Sequence, residues 1–182
     1  MNKLFKLMIL TALTISTAFA GNLDLEKSVL KWKASKGAAG FKLGSHNGKI
    51  KLLDGDVQSK NNKLIGGNFT VDMTNFTVDD LSGEWADKFI SHVKSADFFD
   101  VKNHPKSKLL IKSSKGNTVI ADLTINGITN PVKFDYKKVG EAFEGKFTFD
   151  RTKFNILYGK DSSLGDKFIH HEVELEFKIQ SK

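Results

Sequence analysis

Near its C-terminus the chain alternates without a break. His171, Val173, Leu175, Phe177 and Ile179 hold one phase, and His170, Glu172, Glu174, Glu176 and Lys178 hold the other. Successive side chains of a strand point to opposite faces, so this run is a strand with one dry face and one wet face. A dry face of that length must be covered by other strands carrying the same pattern. They are present: Leu30, Trp32 and Ala34 alternate with Lys31 and Lys33, and Phe69, Val71 and Met73 alternate with Thr70 and Asp72. Leu123 with Ile125, then Val132, Phe134 and Tyr136, then Phe143, Phe147 and Phe149 continue the series. The pattern predicts an all-β antiparallel domain.

Turn signals punctuate these runs at Asp54-Gly55, Asn61-Asn62, Lys115-Gly116-Asn117, Asn126-Gly127 and Val139-Gly140. Asn-Gly tolerates the positive φ that a tight hairpin turn demands, so Val119 to Ile125 should pair with Ile128 to Tyr136. The spacing yields about eight strands, enough to close a barrel or to stack as a sandwich. From Leu81 to Ser95 the period changes. Trp85, Phe89 and Val93 recur every fourth residue, which predicts one amphipathic helix that packs its apolar stripe on the barrel or across one end, with Ser82 or Asp80 as its cap.

Residues 1–20 read as a removable leader: Lys3 and Lys6 precede an apolar run from Leu7 to Ile15, which leads into Ala18-Phe19-Ala20. The expected organisation is a signal peptide over 1–20 and a single domain over 21–182, placed in the periplasm. The chain has no cysteine, which excludes disulfides, a cysteine-held metal and a lipid anchored through cysteine. Its formal charge of +7 falls to +5 when Lys3 and Lys6 are removed. The remaining lysines are interleaved with acids, which fits a solvated surface and transient contact with a membrane surface, and not a nucleic-acid stripe.

No catalytic set stands out. The adjacent His170 and His171 point to opposite faces of a strand and cannot share a metal ion without distortion. Gly-x-Ser-x-Gly is absent, and Asp79-Asp80, Asp97 and Asp100 sit where aspartate commonly caps and turns a chain. Phenylalanine is the dominant aromatic, with 15 copies, and most fall on inward phases. An eight-stranded barrel is either filled by such side chains or holds one small ligand. Gly145 and Ala34, small residues in inward register, favour the second arrangement.

Ser95-Ala96-Asp97-Phe98-Phe99-Asp100-Val101 followed by His104-Pro105 resembles the most distinctive motif of the YceI-like family. Agreement in order and spacing extends to Trp32 with Gly44-Ser45-His46-Asn47-Gly48, to Gly66-Gly67-Asn68-Phe69 running into Val71-Asp72-Met73, to Leu123 through Thr129, and to Asp150 through Ile156. The resemblance implies an eight-stranded antiparallel lipocalin-like β-barrel with one amphipathic helix. It implies a periplasmic binding or carrier protein, often a homodimer, that holds a polyisoprenoid or another long-chain amphiphilic lipid in its lumen, with no other cofactor, no metal and no catalytic residues. On the inward phase Trp32, Phe69, Leu123, Ile125, Phe134, Phe147, Phe149 and Val173 would line the tunnel. Trp85 and Phe89 of the helix and Phe98 of the motif would add to it, and His46, Asn47 and His171 would orient a headgroup at the mouth. Two alternatives compete: a small lipid-modifying enzyme using the same pocket, and a lumen-filled barrel acting in stress or adhesion through its basic surface.

If the leader is read correctly, protein recovered from the cell envelope begins at Gly21. N-terminal sequencing that finds Met1 intact refutes it.

Overall fold

The computed structural model describes residues 19–38, 41–161, 163 and 167–182. Most of the expected leader, 1–18, therefore lies outside the described residues. In chain order the elements are β1 (Phe19–Asn22), β2 (Val29–Lys36), β3 (Gly44–Lys60), β4 (Lys63–Phe76), α1 (Gly83–Lys94), β5 (Lys106–Lys115), β6 (Thr118–Ile125), β7 (Ile128–Val139), β8 (Ala142–Asp150), a short 3-10 turn (Arg151–Phe154) and β9 (Ile169–Gln180).

Strands β2 to β9 close an antiparallel ring in which each pairs with its sequence neighbours, β9 returns to β2, and the connection from β4 to β5 carries α1. The eight-stranded barrel expected from the alternation is present. β1 adds a ninth strand along residues 56–59 of β3, past the point where β2 stops pairing. The Asn126-Gly127 hairpin forms in the predicted register, Leu123 opposite Asn130 and Ile125 opposite Ile128, with both turn residues at positive φ (51° and 72°). Asn61 and Asn62 make the β3–β4 turn in the same way, at φ 51° and 61°.

Asp54-Gly55 is not a turn. It lies inside β3, a strand of 17 residues, where the pairing with β4 shifts register between Leu52 and Asp54. The turn chemistry is used for a bulge: the Asp54 carboxylate accepts the Gly55 N–H at 2.8 Å, and a Cβ on Gly55 would stand 2.6 Å from the Asn68 carbonyl oxygen.

The inward faces meet in one core. Phe134 stacks on Phe147 with centroids 4.8 Å apart and meets Phe177 edge-on at 5.5 Å. At the end bearing the short turns, Val57, Leu64, Val119, Tyr136 and Phe143 are all buried. There the Tyr136 hydroxyl accepts the Leu64 N–H at 2.8 Å, so the only polar atom that ring brings into the plug is partnered.

The helix forms where its period predicts, yet only part of its stripe is covered. Val93 is buried and Phe89 half-buried, but Trp85 is 73% exposed and has Lys88 over its ring at 5.6 Å. One helical turn is about 5.4 Å long, and Trp85 sits one turn before Phe89, beyond the rim that α1 reaches. Ser82 occupies the N-cap position without a side-chain cap bond, and Asp80 is engaged elsewhere.

Gly145 corrects a second expectation. A Cβ there would meet the Asp135 carbonyl oxygen and the Phe177 ring, each at 2.6 Å, so the position is small because backbone and ring already fill it. Gly145→Ala should therefore destabilise the barrel by about 1–3 kcal/mol, as overpacking does. Urea melts with an unchanged midpoint refute that packing.

Candidate functional site

The barrel encloses a cavity of about 380 Å³, within the range of roughly 300–1,000 Å³ typical of small-molecule sites. Its wall is built by the dry faces of the strands. Trp32, Phe69, Leu123, Ile125, Phe134, Phe147, Phe149 and Val173 all line it, as do Phe89 and Phe98 at the helix end. The alternation that places these residues is the one visible in the sequence.

The mouth lies at the end of the long connections. Trp32 donates its indole N–H to the Thr77 carbonyl at 3.1 Å and stacks on Phe89, with centroids 6.1 Å apart. His46 is half-buried beneath Phe89, with its ring centroid 4.7 Å away, and its Nδ1 lies 2.7 Å from a carboxylate oxygen of Asp80, to which it donates. The other Asp80 oxygen accepts the Asn47 N–H at 2.9 Å. Asp80 thus ties the segment before α1 to β3. Burial alone would raise the Asp80 pKa, but the Asn47 N–H and the His46 imidazole outweigh it and hold the carboxyl below its usual value of 3.8.

Three expected contacts fall outside the cavity. Asn47 is exposed because it follows His46 by one residue and so faces the other side of β3. Trp85 stands beyond the rim, as described above. His171 is exposed and its Nε2 donates to the Lys160 carbonyl at 3.0 Å. Ala34 pairs with Val173 and Lys36 with Ile169, which sets the one residue between them in β2 against three in β9. That bulge turns His171 out of the phase that Val173 keeps.

Several lining residues were not picked out from the sequence. Met73, Phe76 and Phe99 extend the apolar wall, while Ser35, Lys36, His92, Arg151 and Tyr158 bring polarity to it. Met73 continues the phase of Phe69 and Val71, so its signal was available. Tyr158 belongs to an irregular connection with no period, and it reaches the site through ring contacts with His92 at 4.7 Å and Phe98 at 5.1 Å. Arg151 is 2% exposed and donates to the carbonyls of Ile156 at 2.6 Å, Ile169 at 2.8 Å and His170 at 3.1 Å. Burial draws its pKa below the ordinary guanidinium value, and Asp150 opposes that shift. No aspartate or glutamate lines the cavity among the described residues. No group of metal-ligating side chains gathers among them either.

The YceI-like domain family matches residues 22–181. A UPF0312 protein of Pseudomonas putida is 30% identical over 139 residues, covering 71% of this chain and 68% of its own. A UPF0312 protein of Pectobacterium carotovorum is 29% identical over 103 residues, 49% of this chain and 50% of its own. Among solved structures, Burkholderia cenocepacia BcnA superposes with a TM-score of 0.66 at 22% identity, over 88% of this chain and 99% of that one. A mutant YCEI protein of Campylobacter jejuni superposes at 0.53 with 15% identity, over 73% and 81%. These two structural likenesses establish the same fold.

The Asp80 tie has a pH signature. A carboxyl whose folded pKa is depressed stabilises the fold above its unfolded pKa and loses that contribution as pH falls through the folded value. Asp80→Asn should therefore lower stability at neutral pH by about 1 kcal/mol, between an exposed and a buried charged bond. The difference from the parent should begin to shrink below roughly pH 4 and close as pH falls through the depressed folded value, where the parent carboxyl also becomes protonated. A difference that persists undiminished in thermal melts at pH 2.5 contradicts the assignment.

Proposed function

The chain belongs to the YceI-like domain family, and from that premise we propose that it binds a long-chain amphiphile, a polyisoprenoid or an acyl lipid, in the barrel lumen. Family and fold support a binding protein. The observation that carries the finer reading is the apolar cavity of about 380 Å³ inside the barrel. A methylene occupies about as much room as a water, roughly 30 Å³, so the cavity takes on the order of a dozen carbons. Burying a dozen methylenes at about 0.8 kcal/mol each offers roughly 10 kcal/mol. That compares with roughly 4–15 kcal/mol lost to association, so lumen burial alone supports modest binding and a headgroup contact at the mouth would add to it.

Binding is favoured over catalysis by the chemistry of the lining. The hydrogen-bonding and ion-pair partners of His46 and His92 are Asp80 and Asp97, and neither histidine bonds Ser35 or Ser107, the serines at the wall, among the described residues. No activated nucleophile results. The UPF0312 and YceI names of the relatives denote no reaction. A lumen packed solid, as a purely structural barrel would have, leaves no such space. The leader-like N-terminus supports a carrier in the periplasm, and the scattered lysines support brief contact with anionic membrane surfaces where cargo is exchanged. The motif resemblance supports a homodimer as the working form.

Ala34 faces the cavity between Trp32 and the bulge and carries the smallest side chain in that row. Ala34→Phe should place a ring in the lumen and weaken lipid binding at least about tenfold, or 1.4 kcal/mol, with a near-normal melting temperature. Native mass spectrometry of protein purified from the envelope reads both the parent's cargo and its loss. Parent protein that carries no lipid, together with a variant that melts far lower, sinks the proposal.

A further inference from the structure

Among the described residues no acidic side chain lines the lumen, and the cations at its mouth are of two kinds. His46 and His92 each bring a carboxylate with them, Asp80 at 2.7 Å and Asp97 at 3.4 Å, so neither adds net positive charge to the opening. Lys36 and Arg151 do. Lys36 is exposed at the end of β2, its stem lies along Gly44 of the neighbouring strand, and it forms no ion pair with any described residue. Arg151 is almost wholly buried and donates its side-chain hydrogen bonds to three neutral carbonyls, while Asp150 acts on it through space. The Asp150 carboxylate itself is taken by the N–H and hydroxyl of Thr152, at 2.9 and 2.6 Å.

These two cations converge on one rung. Lys36 is the cross-strand partner of Ile169, and the Arg151 guanidinium is bonded to the carbonyl of that same Ile169 at 2.8 Å. All three residues, with Ser35 beside them, border the cavity. Lys108 also borders it, on the outward phase of β5 between the inward Ser107 and Leu109. A buried guanidinium without a contacting counter-ion favours an anion placed nearby, because its charge is poorly screened in the protein interior.

We infer that the amphiphile held in the lumen has an anionic headgroup, a carboxylate or a phosphate monoester, received by Lys36 with Arg151 behind it. The inference rests on lumen binding as proposed above and adds the chemical class of the head. The tail supplies affinity without discrimination, since any apolar chain fits a dry wall. The head decides between a fatty acid or prenyl phosphate on one side and an alcohol, amide or amine on the other.

Four amphiphiles with one tail separate these possibilities: dodecanoate, dodecyl phosphate, dodecanol and dodecyltrimethylammonium, each titrated calorimetrically into the purified full-length protein at neutral pH. A resident lipid competes equally with all four, so affinity ratios survive its presence. One or both anions should bind roughly tenfold or more tighter than dodecanol, and the ammonium should bind weakest. Whether the carboxylate or the phosphate leads identifies the head. Lys36→Met, a change at an exposed position, should bring the ratio of anion to dodecanol affinity down towards one. Equal affinities for anion and alcohol overturn the inference while leaving lumen binding intact, as does a Lys36→Met variant that keeps the full preference. If dodecanol and the anions all fail to bind, lumen binding itself falls.

Discussion

Closure of the backbone hydrogen-bond ladder is the constraint on which everything else depends. β3 makes it possible: its 17 residues give one edge to β2 and then to β1, and the other edge to β4, so the ring returns on itself. Once eight strands close, no long edge is left to recruit another chain, and every inward side chain points at a common axis. The apolar alternation then has a single consequence, a dry interior.

The two ends of that interior differ because their connections differ. Tight turns at Asn61-Asn62 and Gly140, with Gly116 between β5 and β6, let Leu64, Val119, Tyr136 and Phe143 draw together and plug one end. At the other end the chain runs long, through the β2–β3 connection, the α1 segment and the stretch from Arg151 to Phe168. Among the described residues of these connections, Phe89, Phe98, Arg151 and Tyr158 border the cavity. The Asp80 contacts with His46 and Asn47, and those of Arg151 with three carbonyls, pin two of these connections in place. Among the described residues, polar chemistry at the cavity therefore gathers toward the rim while most of the wall stays dry.

The outer face carries the acids. Lys31 meets Glu176, Lys146 meets Glu174, Lys137 meets Glu144 and Lys112 meets Asp122 across neighbouring strands. Such exposed pairs are each worth little, about 0–1 kcal/mol. Their larger effect is one of placement. Alternation sends these carboxylates outward along with most lysines, and the few cations left at the mouth stand without acidic neighbours on the lumen side.

The amino-acid sequence by itself determined the barrel and most of its inner wall, because period-two alternation is a local code: Phe69, Leu123, Ile125, Phe134, Phe147, Phe149 and Val173 point inward wherever their strands are placed. The same code fails wherever the backbone leaves its period. The bulge opposite Ala34 and Lys36 rotates His171 away, and Asp54-Gly55 bends a strand that its residues alone would end. Trp85 belongs to a helical stripe as regular as any, yet how far that stripe is covered depends on where the rim ends. Gly145 illustrates the limit most directly, since a missing side chain reads the same whether it opens a space or yields to the Asp135 carbonyl and the Phe177 ring. Arg151, Lys36 and Tyr158 lie at or beyond strand ends, in sequence that carries no period. Only closure of the barrel brings them to one opening, because contact between residues far apart in the chain is set by the path of the whole ladder and not by any segment of it.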